Sequence, residues 1–289
     1  MDKKRKRGDR KDAVLLRNID AMHFIMPIIY PNRCDNEAFV SERIDLSALD
    51  SYLEKKNLNN EEYKYNLFQV IVTAVLKTIT LRPKMNRFIA NKNLYERKNI
   101  SAAFVIKKIF SDNGEEGLAF INSKGGDNID SIHNEIHRQV SSCRKGDEKS
   151  STEGAMDIFN KLPGFISKAI LNFLCFLDRH GKVPEAIIGS DPFYSSVVLS
   201  NLGSIKLHSG YHHLTNWGTT SVFIVVGERK KRPFFEENGT FEMRDSIDLG
   251  LTVDERIADG YYFSKTVKLL KKLIENPELL ELPLDKEID

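Results

Sequence analysis

The sequence has few cysteines and no long hydrophobic run, and each of these absences excludes a class of protein. The three cysteines are odd in number and widely spaced, without a CxxC pair, so they indicate neither a disulfide framework nor a zinc-binding motif. The most apolar stretch, Phe165 to Leu177, contains Lys168 and Asn172 and is shorter than the ~18 to 20 residues that span a bilayer. We therefore expect no transmembrane segment and a reducing compartment.

The chain also lacks an excess of one charge. It has 43 Lys and Arg against 41 Asp and Glu, a net charge of +2 at pH 7, and such a balance produces no strong field that would attract nucleic acid. Only the first residues are strongly basic, from Lys3 to Arg7, and we interpret residues 1–12 as a disordered basic arm. No cleavage site of small residues follows this arm, so we expect a cytoplasmic protein. Because the overall charge is balanced, we expect no nucleic-acid partner.

Helical and strand periodicities alternate along residues 13–289, which we predict to be one domain. One helix is predicted to begin near Asp45, and three more are predicted over Leu67 to Ile79, Ile129 to Val140 and Phe263 to Ile274. Pro277 is expected to end the last of them. Strands are predicted between them, including a hairpin around Asn91 and Lys92 and a late strand in which Ile247, Leu249, Leu251 and Val253 alternate and face one side. No glycine-rich phosphate loop follows any predicted strand, which disfavours a nucleotide-binding sheet.

Two histidines, His133 and His137, lie four residues apart on one predicted helix. No carboxylate ligand or HExxH framing accompanies them, so we interpret them as exposed surface residues and expect no metal site. Residues 146–156 have the polar composition of a linker. The apolar segment near 155–190 is predicted to be a helical insertion packed into the core, with a lid, an interface helix or a membrane-surface helix as alternatives.

Three short phrases in the last third of the chain point to a family. They are SNLGS at 200–204, TNWGTTSVFIVVGE at 215–228 and DERIADG at 254–260. In order and spacing they resemble the catalytic domain of dihydrolipoyl acyltransferases, the core component of 2-oxoacid dehydrogenase complexes, and more distantly chloramphenicol acetyltransferase. The 55 positions from Ser200 to Glu255 are close to the family's interval, and LFQVIVTAVLKTITLRPKMNRFI is similar to the family's helix and strand. The resemblance covers Ile19 to Leu280, apart from the apolar segment.

This resemblance implies a fold and an assembly. The fold is α/β, a two-layer sandwich in which helices cover a mixed β-sheet, as in chloramphenicol acetyltransferase. The assembly is a homotrimer whose sites form between subunits. Coenzyme A or acyl-coenzyme A is the implied cosubstrate, and the implied acceptor of the acyl group is a small molecule or a lipoyl-type thiol.

The resemblance also implies roles for individual residues. In the family, the histidine of a DHRxxDG motif takes a proton from the attacking thiol or hydroxyl. Ser200 corresponds to a serine that donates a hydrogen bond to the developing oxyanion, a contact worth about 3 kcal/mol. Asp259 would orient the motif, and Arg33 would hold this carboxylate in an ion pair. The remaining residues implied to support the site are Asp254, Gly260 and Asn201.

The sequence departs from the family at the base, where Glu255 stands in place of the histidine. A free glutamate titrates near about 4.3 and a thiol near about 8.5, so proton transfer to such a carboxylate is strongly uphill. Partial burial and the neighbouring Asp254 and Asp259 would raise its proton affinity, whereas Arg256 would lower it if it faced inward. Strand alternation predicts that Glu255 and Arg256 point apart.

Two histidines in the phrase HSGYHH, His212 and His213, are candidate substitute bases because they follow the oxyanion serine. A polar loop with two partly exposed imidazoles is the interpretation that we favour for them. Metal binding at this phrase is not indicated, since Gly210 interrupts any helix that would align His208 with His212.

Two functional hypotheses follow. The first is a stand-alone, coenzyme A-dependent acyltransferase acting on a thiol, hydroxyl or amine, and it is favoured because Ser200 and the acidic residues of the motif are present. The second is a catalytically reduced member of the fold that serves as a trimeric binding or scaffold protein, since the histidine is missing. Membership in a dehydrogenase complex is disfavoured, because we expect no lipoyl attachment site in this chain and another chain would have to supply it.

Overall fold

An alternating strand near the C-terminus contributes one face to the main core. In the computed structural model, which describes residues 5–58, 60, 62–107, 116–145, 162–189 and 191–288, this strand covers Phe241–Asp254. Its inward-facing side chains Ile247, Leu249, Leu251 and Val253 are all buried in the main core, because alternate residues of a strand face the same side. The alternation predicted from the sequence is confirmed.

The strands form two sheets. In chain order they are β1 (Ala13–Leu15), β2 (Glu37–Asp45), β3 (Arg87–Ala90), β4 (Asn93–Arg97), β5 (Ile100–Lys107), β6 (Glu116–Ser123), β7 (Val197–Asn201), β8 (Val222–Val226), β9 (Lys230–Phe235) and β10 (Phe241–Asp254). The larger sheet has the order β2-β10-β8-β7-β5-β6, and β9 pairs with β10. β7 runs parallel to β5 and β8, whereas the other pairs are antiparallel. The predicted mixed sheet is therefore confirmed, and β1, β4 and β3 form a small second sheet.

Helices flank these strands. They are α1 (Ala21–Ile29), α2 (Ser47–Asn57), α3 (Leu67–Leu81), α4 (Ile129–Lys145), α5 (Gly164–Arg179), α6 (Glu185–Ile188) and α7 (Gly260–Glu275). Short 3-10 turns cover Arg33–Asp35, Pro83–Asn86, Pro192–Tyr194, Leu202–Ile205, Glu255–Ile257 and Pro277–Leu280. Asn66 begins α3 with a capping box, in which its side chain accepts from Gln69 N–H while the Gln69 side chain accepts from Asn66 N–H.

Two layers result from the way these elements pack. The main core lies between the larger sheet and the helices α2, α3, α4 and α7, and α3 is buried over most of its length. The opposite face of the sheet carries a smaller cluster: Ala103, Val198, Leu214, Phe223 and Val225. We call this second side the open face, and the loop that contains Leu214 covers part of it.

The local predictions were largely confirmed. The hairpin tip lies at Asn91 and Lys92, both with positive φ angles (45° and 62°), which is the conformation that a tight two-residue turn between β3 and β4 requires. Each predicted helix is present, and α7 ends before Pro277 as expected.

Three predictions need correction. His133 is buried rather than exposed, because its ring stacks on Tyr65 at 3.8 Å and its Nδ1 lies 3.1 Å from Gln69 Oε1; His137 is exposed, as predicted. Helix α5 is not packed into the core: Phe165 is 75% exposed and Phe173 is 60% exposed. Helix α5 lies on the surface, and its outward-facing phenylalanines remain in solvent because the sheet and the other helices already fill the core.

The expected disordered arm is the third correction, since residues 5–12 include ordered contacts. The Arg10 side chain is buried, with Nε donating to Asp12 Oδ1 (2.9 Å) and Nη1 donating to the Asp178 carbonyl (3.1 Å). The guanidinium also lies 5.2 Å from the centre of the Phe88 ring. Order therefore begins before residue 13. The predicted linker at 146–156 lies outside the described residues.

Candidate active site

Ser200 lies near the end of β7, on the open face of the sheet. Its neighbour Leu199 is buried in the main core, whereas Val198 belongs to the open-face cluster, so alternation places Ser200 on the same side as Val198. Its side chain is half-buried, and its hydroxyl makes no hydrogen bond within the part of the chain that the structure describes. Ser200 is therefore not a strand-end hydroxyl that satisfies a backbone group, and its donor is available.

Asn201 shapes the turn after this serine. Its side chain accepts from Ser204 N–H at 3.2 Å and caps the 3-10 turn Leu202–Ile205. A Cβ at Gly203 would approach the Gly227 carbonyl to 2.7 Å, so this position requires a residue without a side chain. The SNLGS phrase thus forms a tight turn at the end of β7.

Glu255 lies at the other end of the sheet, directly after β10. Its side chain is exposed, and its N–H donates to the Asn36 carbonyl at 2.9 Å. Asp254 and Arg256 on either side are buried. The expectation that Glu255 and Arg256 point apart agrees with this arrangement.

Asp254 is the centre of a buried ion-pair cluster. Arg256 donates to it from Nε (2.8 Å) and Nη2 (2.7 Å), and its own Nη1 donates to the Tyr30 carbonyl (2.7 Å). The Nε of Arg33 lies 3.8 Å from Asp254 Oδ2. Such a cluster keeps the backbone rigid directly before Glu255, because two buried guanidinium groups depend on one carboxylate.

Arg33 does not hold Asp259, which is a correction to the pairing implied by the resemblance. Its guanidinium donates to the carbonyls of Thr215 (2.6 Å), Ile89 (3.1 Å) and Gly218 (3.1 Å), and Asp254 is its nearby carboxylate. Burial lowers the pKa of Arg33, and the charge of Asp254 opposes this shift. Arg33 therefore joins the loop at 215–218 to the start of the motif.

Asp259 is exposed and caps helix α7. Its carboxylate accepts from Tyr262 N–H at 2.9 Å, and this backbone hydrogen bond lowers the pKa of Asp259. The nearest cation is Lys84, with Nζ 3.7 Å from Oδ2. A Cβ at Gly260, the first residue of α7, would meet no atom within 4 Å in the described chain. The Asp259 cap therefore determines where α7 begins.

The candidate substitute bases lie on the open face with Ser200. The ring of His212 stacks on Phe223 at 4.1 Å, and Phe223 is the register partner of Val198 on β7. His213 is exposed, with Nδ1 3.1 Å from the Leu214 carbonyl. Both histidines are exposed parts of a loop, as expected, and His212 lies over Phe223, two residues along β8 from Val225, the partner of Ser200.

Ser200 and Glu255 lie far apart along the strands of the sheet. Ser200 lies opposite Val225 on β8, and Val225 lies opposite Gly250 on β10. Gly250 and Asp254 are four residues apart, which is about 14 Å at the rise of an antiparallel strand. Within one chain, Ser200 and Glu255 therefore cannot contact the same reacting bond.

A buried polar network lies between the end of α5 and the loop at 215–220, and sequence reasoning did not identify it. Asp178 accepts from the Tyr194 hydroxyl (2.7 Å) and from Gly218 N–H (3.1 Å). Asp191 accepts from the Trp217 indole at 2.5 Å. Burial raises the pKa of Asp178 and of Asp191. The single tryptophan of the chain was the one available signal, since a buried indole N–H needs an acceptor.

Among the residues that the structure describes, no helix combines the length and the apolar character required to cross a membrane.

Comparison with known proteins connects this geometry to a family. Residues 191–282 match the family model of the 2-oxoacid dehydrogenases acyltransferase (catalytic domain), a segment that contains Ser200 and the motif from Asp254 to Gly260. No curated protein matches the chain.

Solved structures share the fold over most of the chain. A probable dihydrolipoamide acetyltransferase from Listeria monocytogenes is 17% identical with a TM-score of 0.58, covering 90% of this chain and 94% of its own. The dihydrolipoamide acetyltransferase of Azotobacter vinelandii is 14% identical with a TM-score of 0.60, covering 92% and 94%. A chloramphenicol acetyltransferase is 12% identical with a TM-score of 0.55, covering 91% and 99%. The chain thus resembles 2-oxoacid dehydrogenase acyltransferase domains and has the chloramphenicol acetyltransferase-like fold.

Proposed function

We propose that this protein is an acyltransferase that uses coenzyme A thioesters and forms its sites between the subunits of a homotrimer. The observation that carries the proposal is the family match over 191–282, because it includes both ends of the sheet where Ser200 and Glu255 lie. The one-domain organisation over residues 13–289 is part of the same proposal.

The separation of the two residues supports an intersubunit site. Since Ser200 and Glu255 are at opposite ends of one sheet, a site that uses both requires Ser200 from one copy and Glu255 from another. Closed trimers bring different surfaces of neighbouring copies together. In that arrangement the substrate would lie between Ser200 of one copy and Glu255 of the neighbouring copy.

Helix α1 provides a surface that a neighbouring copy would cover. Its apolar side chains are exposed: Met22, Phe24, Ile25, Ile28 and Ile29. The next residue, Tyr30, accepts from Arg256 through its carbonyl, so this apolar helix adjoins the segment that contains Glu255. An apolar patch of this kind on a single chain is typical of an interaction surface.

Ser200 would act on the acyl donor. Its hydroxyl has no hydrogen-bond partner in the described chain, and the turn capped by Asn201 keeps its backbone in place. A donor that is positioned in advance stabilises the negative charge that develops on the thioester oxygen, and one such donor contributes about 3 kcal/mol.

Glu255 would act on the acceptor by taking the proton from its thiol, hydroxyl or amine. The ion pairs of Asp254 keep the preceding backbone rigid, and Asp259 caps the following helix, so the carboxylate is held between two ordered supports. Enclosure by a second subunit would exclude solvent from this carboxylate and from the reacting groups beside it.

His212 is the alternative base, because it lies on the same face as Ser200. Stacking on Phe223 holds its ring, and its Nδ1 lies 2.8 Å from the His213 carbonyl, which leaves Nε2 for a substrate. A site with Ser200 and His212 would need only one chain.

A trimeric binding or scaffold protein is the second candidate function, and the replacement of histidine by Glu255 favours it. The discriminating experiment is a coenzyme A release assay with a panel of acyl-coenzyme A donors and with dihydrolipoamide, hydroxyl and amine acceptors. Turnover with any pair supports the acyltransferase. Coenzyme A binding without turnover supports the binding protein, and the absence of both would contradict each proposal.

A further inference from the structure

A cavity of about 310 Å³ lies beside the buried ion pairs, and the proposed acyl transfer does not use it. Four cationic side chains and one carboxylate line it: Arg33, Lys92, Arg179, Arg256 and Asp178. The remaining lining includes the amides of Asn32, Asn91 and Asn216. This volume is at the small end of ligand pockets, so the cavity suits a molecule of few atoms.

The one carboxylate in the lining already has hydrogen-bond donors. Asp178 accepts from the Tyr194 hydroxyl and from Gly218 N–H, and burial raises its pKa, which favours the neutral form. Asp254 lies behind Arg256 and accepts hydrogen bonds from the Nε and Nη2 groups of Arg256. The cationic groups of the lining therefore exceed the carboxylates that neutralise them.

Three of the cations have unused donors. Arg33 is 5% exposed, and its Nε has no hydrogen-bond partner, since Asp254 Oδ2 at 3.8 Å is too distant. Lys92 and Arg179 make no hydrogen bond or ion pair within the described part of the chain, and both are exposed. A buried guanidinium donor without an acceptor is rare in folded proteins, and the side chain that carries it belongs to the lining of this polar cavity.

The backbone holds the two outer cations beside the cavity. Lys92 has a φ of 62° at the tip of the β3–β4 hairpin, so its position depends on a turn rather than on a loose loop. Arg179 is the last residue of α5 and follows Asp178, which is anchored by Tyr194. Both positions are therefore set by ordered structure, although the side chains reach solvent.

We propose that this cavity binds a small oxyanion, a carboxylate or phosphate group, between Arg33 and the outer cations Lys92 and Arg179. Guanidinium groups present donors in the planar geometry that carboxylates and phosphates accept. Free anions and the acidic end of a larger metabolite share this chemistry. The proposed site contains neither Ser200 nor Glu255, but it shares Arg33 and Arg256 with the ion-pair cluster that precedes Glu255.

Isothermal titration calorimetry on the full chain tests the proposal with sodium succinate and inorganic phosphate as separate probes at constant ionic strength. The test variant is Lys92→Ala/Arg179→Ala, which changes exposed residues and leaves the buried network intact. Its control is Lys231→Ala/Lys286→Ala, which removes the same charge from exposed positions outside the cavity. The cavity variant is expected to bind about tenfold or more weakly, as the loss of charge-assisted hydrogen bonds implies, while the control binds like the wild type.

The two probes separate the sources of the oxyanion: saturable binding of succinate alone identifies a carboxylate site, and binding of phosphate alone identifies a phosphate site. The proposal is overturned if neither probe binds saturably up to about 10 mM, or if the cavity and control variants lose affinity equally.

Discussion

Ser200 and Glu255, the two residues proposed to act on one acyl group, lie at opposite ends of the same sheet. The register through Val225 and Gly250 places them about 14 Å or more apart along the strands. A serine donor and a carboxylate base at this separation cannot serve one substrate inside a single chain. The arrangement makes subunit contact part of the proposed chemistry, and several experiments can separate it from the alternatives.

Mixed trimers test the intersubunit site directly. Ser200→Ala and Glu255→Gln chains are expected to be inactive alone and to regain roughly a quarter of wild-type activity after co-refolding at equal amounts, because a random neighbour pair supplies both intact residues about one time in four. The measurement is coenzyme A release before and after mixing. Activity that stays absent in mixed assemblies would show that the two residues do not share a site.

Glu255→Gln is expected to abolish turnover with little effect on folding. The side chain is exposed and does not pack in the core. Substitutions of exposed residues usually change the free energy of unfolding by less than about 0.5 kcal/mol. His212→Ala provides the comparison. Retained activity in Glu255→Gln, together with its loss in His212→Ala, would assign the base to the histidine instead.

Ser200→Ala is expected to lower the rate about 100-fold or more, since one oxyanion donor typically contributes that much. The loss should appear mainly in kcat, and the urea midpoint should be unchanged because the hydroxyl has no partner in the described chain. Ser204→Ala is a control on the same turn, where the hydroxyl donates to the Asn201 carbonyl. A change of less than about twofold in Ser200→Ala would contradict the oxyanion role.

Asp254→Asn is expected to destabilise the protein by about 3 kcal/mol or more, because it leaves the buried guanidinium groups of Arg256 and Arg33 without their carboxylate. Equilibrium urea unfolding measures this free energy. Glu255→Gln, one residue away and exposed, is the matched control. Equal stability of the two variants would show that the buried ion pairs contribute little.

Asp178 should make stability depend on pH in the acid range. Burial raises the pKa of Asp178 in the folded state above its value in the unfolded state. At a pH between these two pKa values the folded state holds an extra proton, so stability falls as pH rises through that window. In Asp178→Asn the amide can still accept from Gly218 N–H, and this fall is expected to disappear. Urea unfolding from pH 4 to 7 compares the two proteins; parallel profiles would mean that Asp178 titrates alike in both states.

The sequence by itself determined most of the secondary structure. The period of two in Ile247, Leu249, Leu251 and Val253 predicted β10, because alternate side chains of a strand must share one face. The recurrence of apolar residues at spacings of three and four from Leu67 to Ile79 predicted α3 in the same way. Three short phrases were also sufficient to indicate the fold family, because they occur in the required order around these elements.

Only the tertiary structure decided which of these residues meet. Arg33 contacts Asp254 rather than Asp259, His133 is buried by Tyr65, and α5 leaves its phenylalanines in solvent. Local periodicity shows which face of an element is apolar, but sheet order and register determine what lies opposite that face. The distance between Ser200 and Glu255 has the same origin, since it follows from strand pairing across β7, β8 and β10 and from no local feature of either motif.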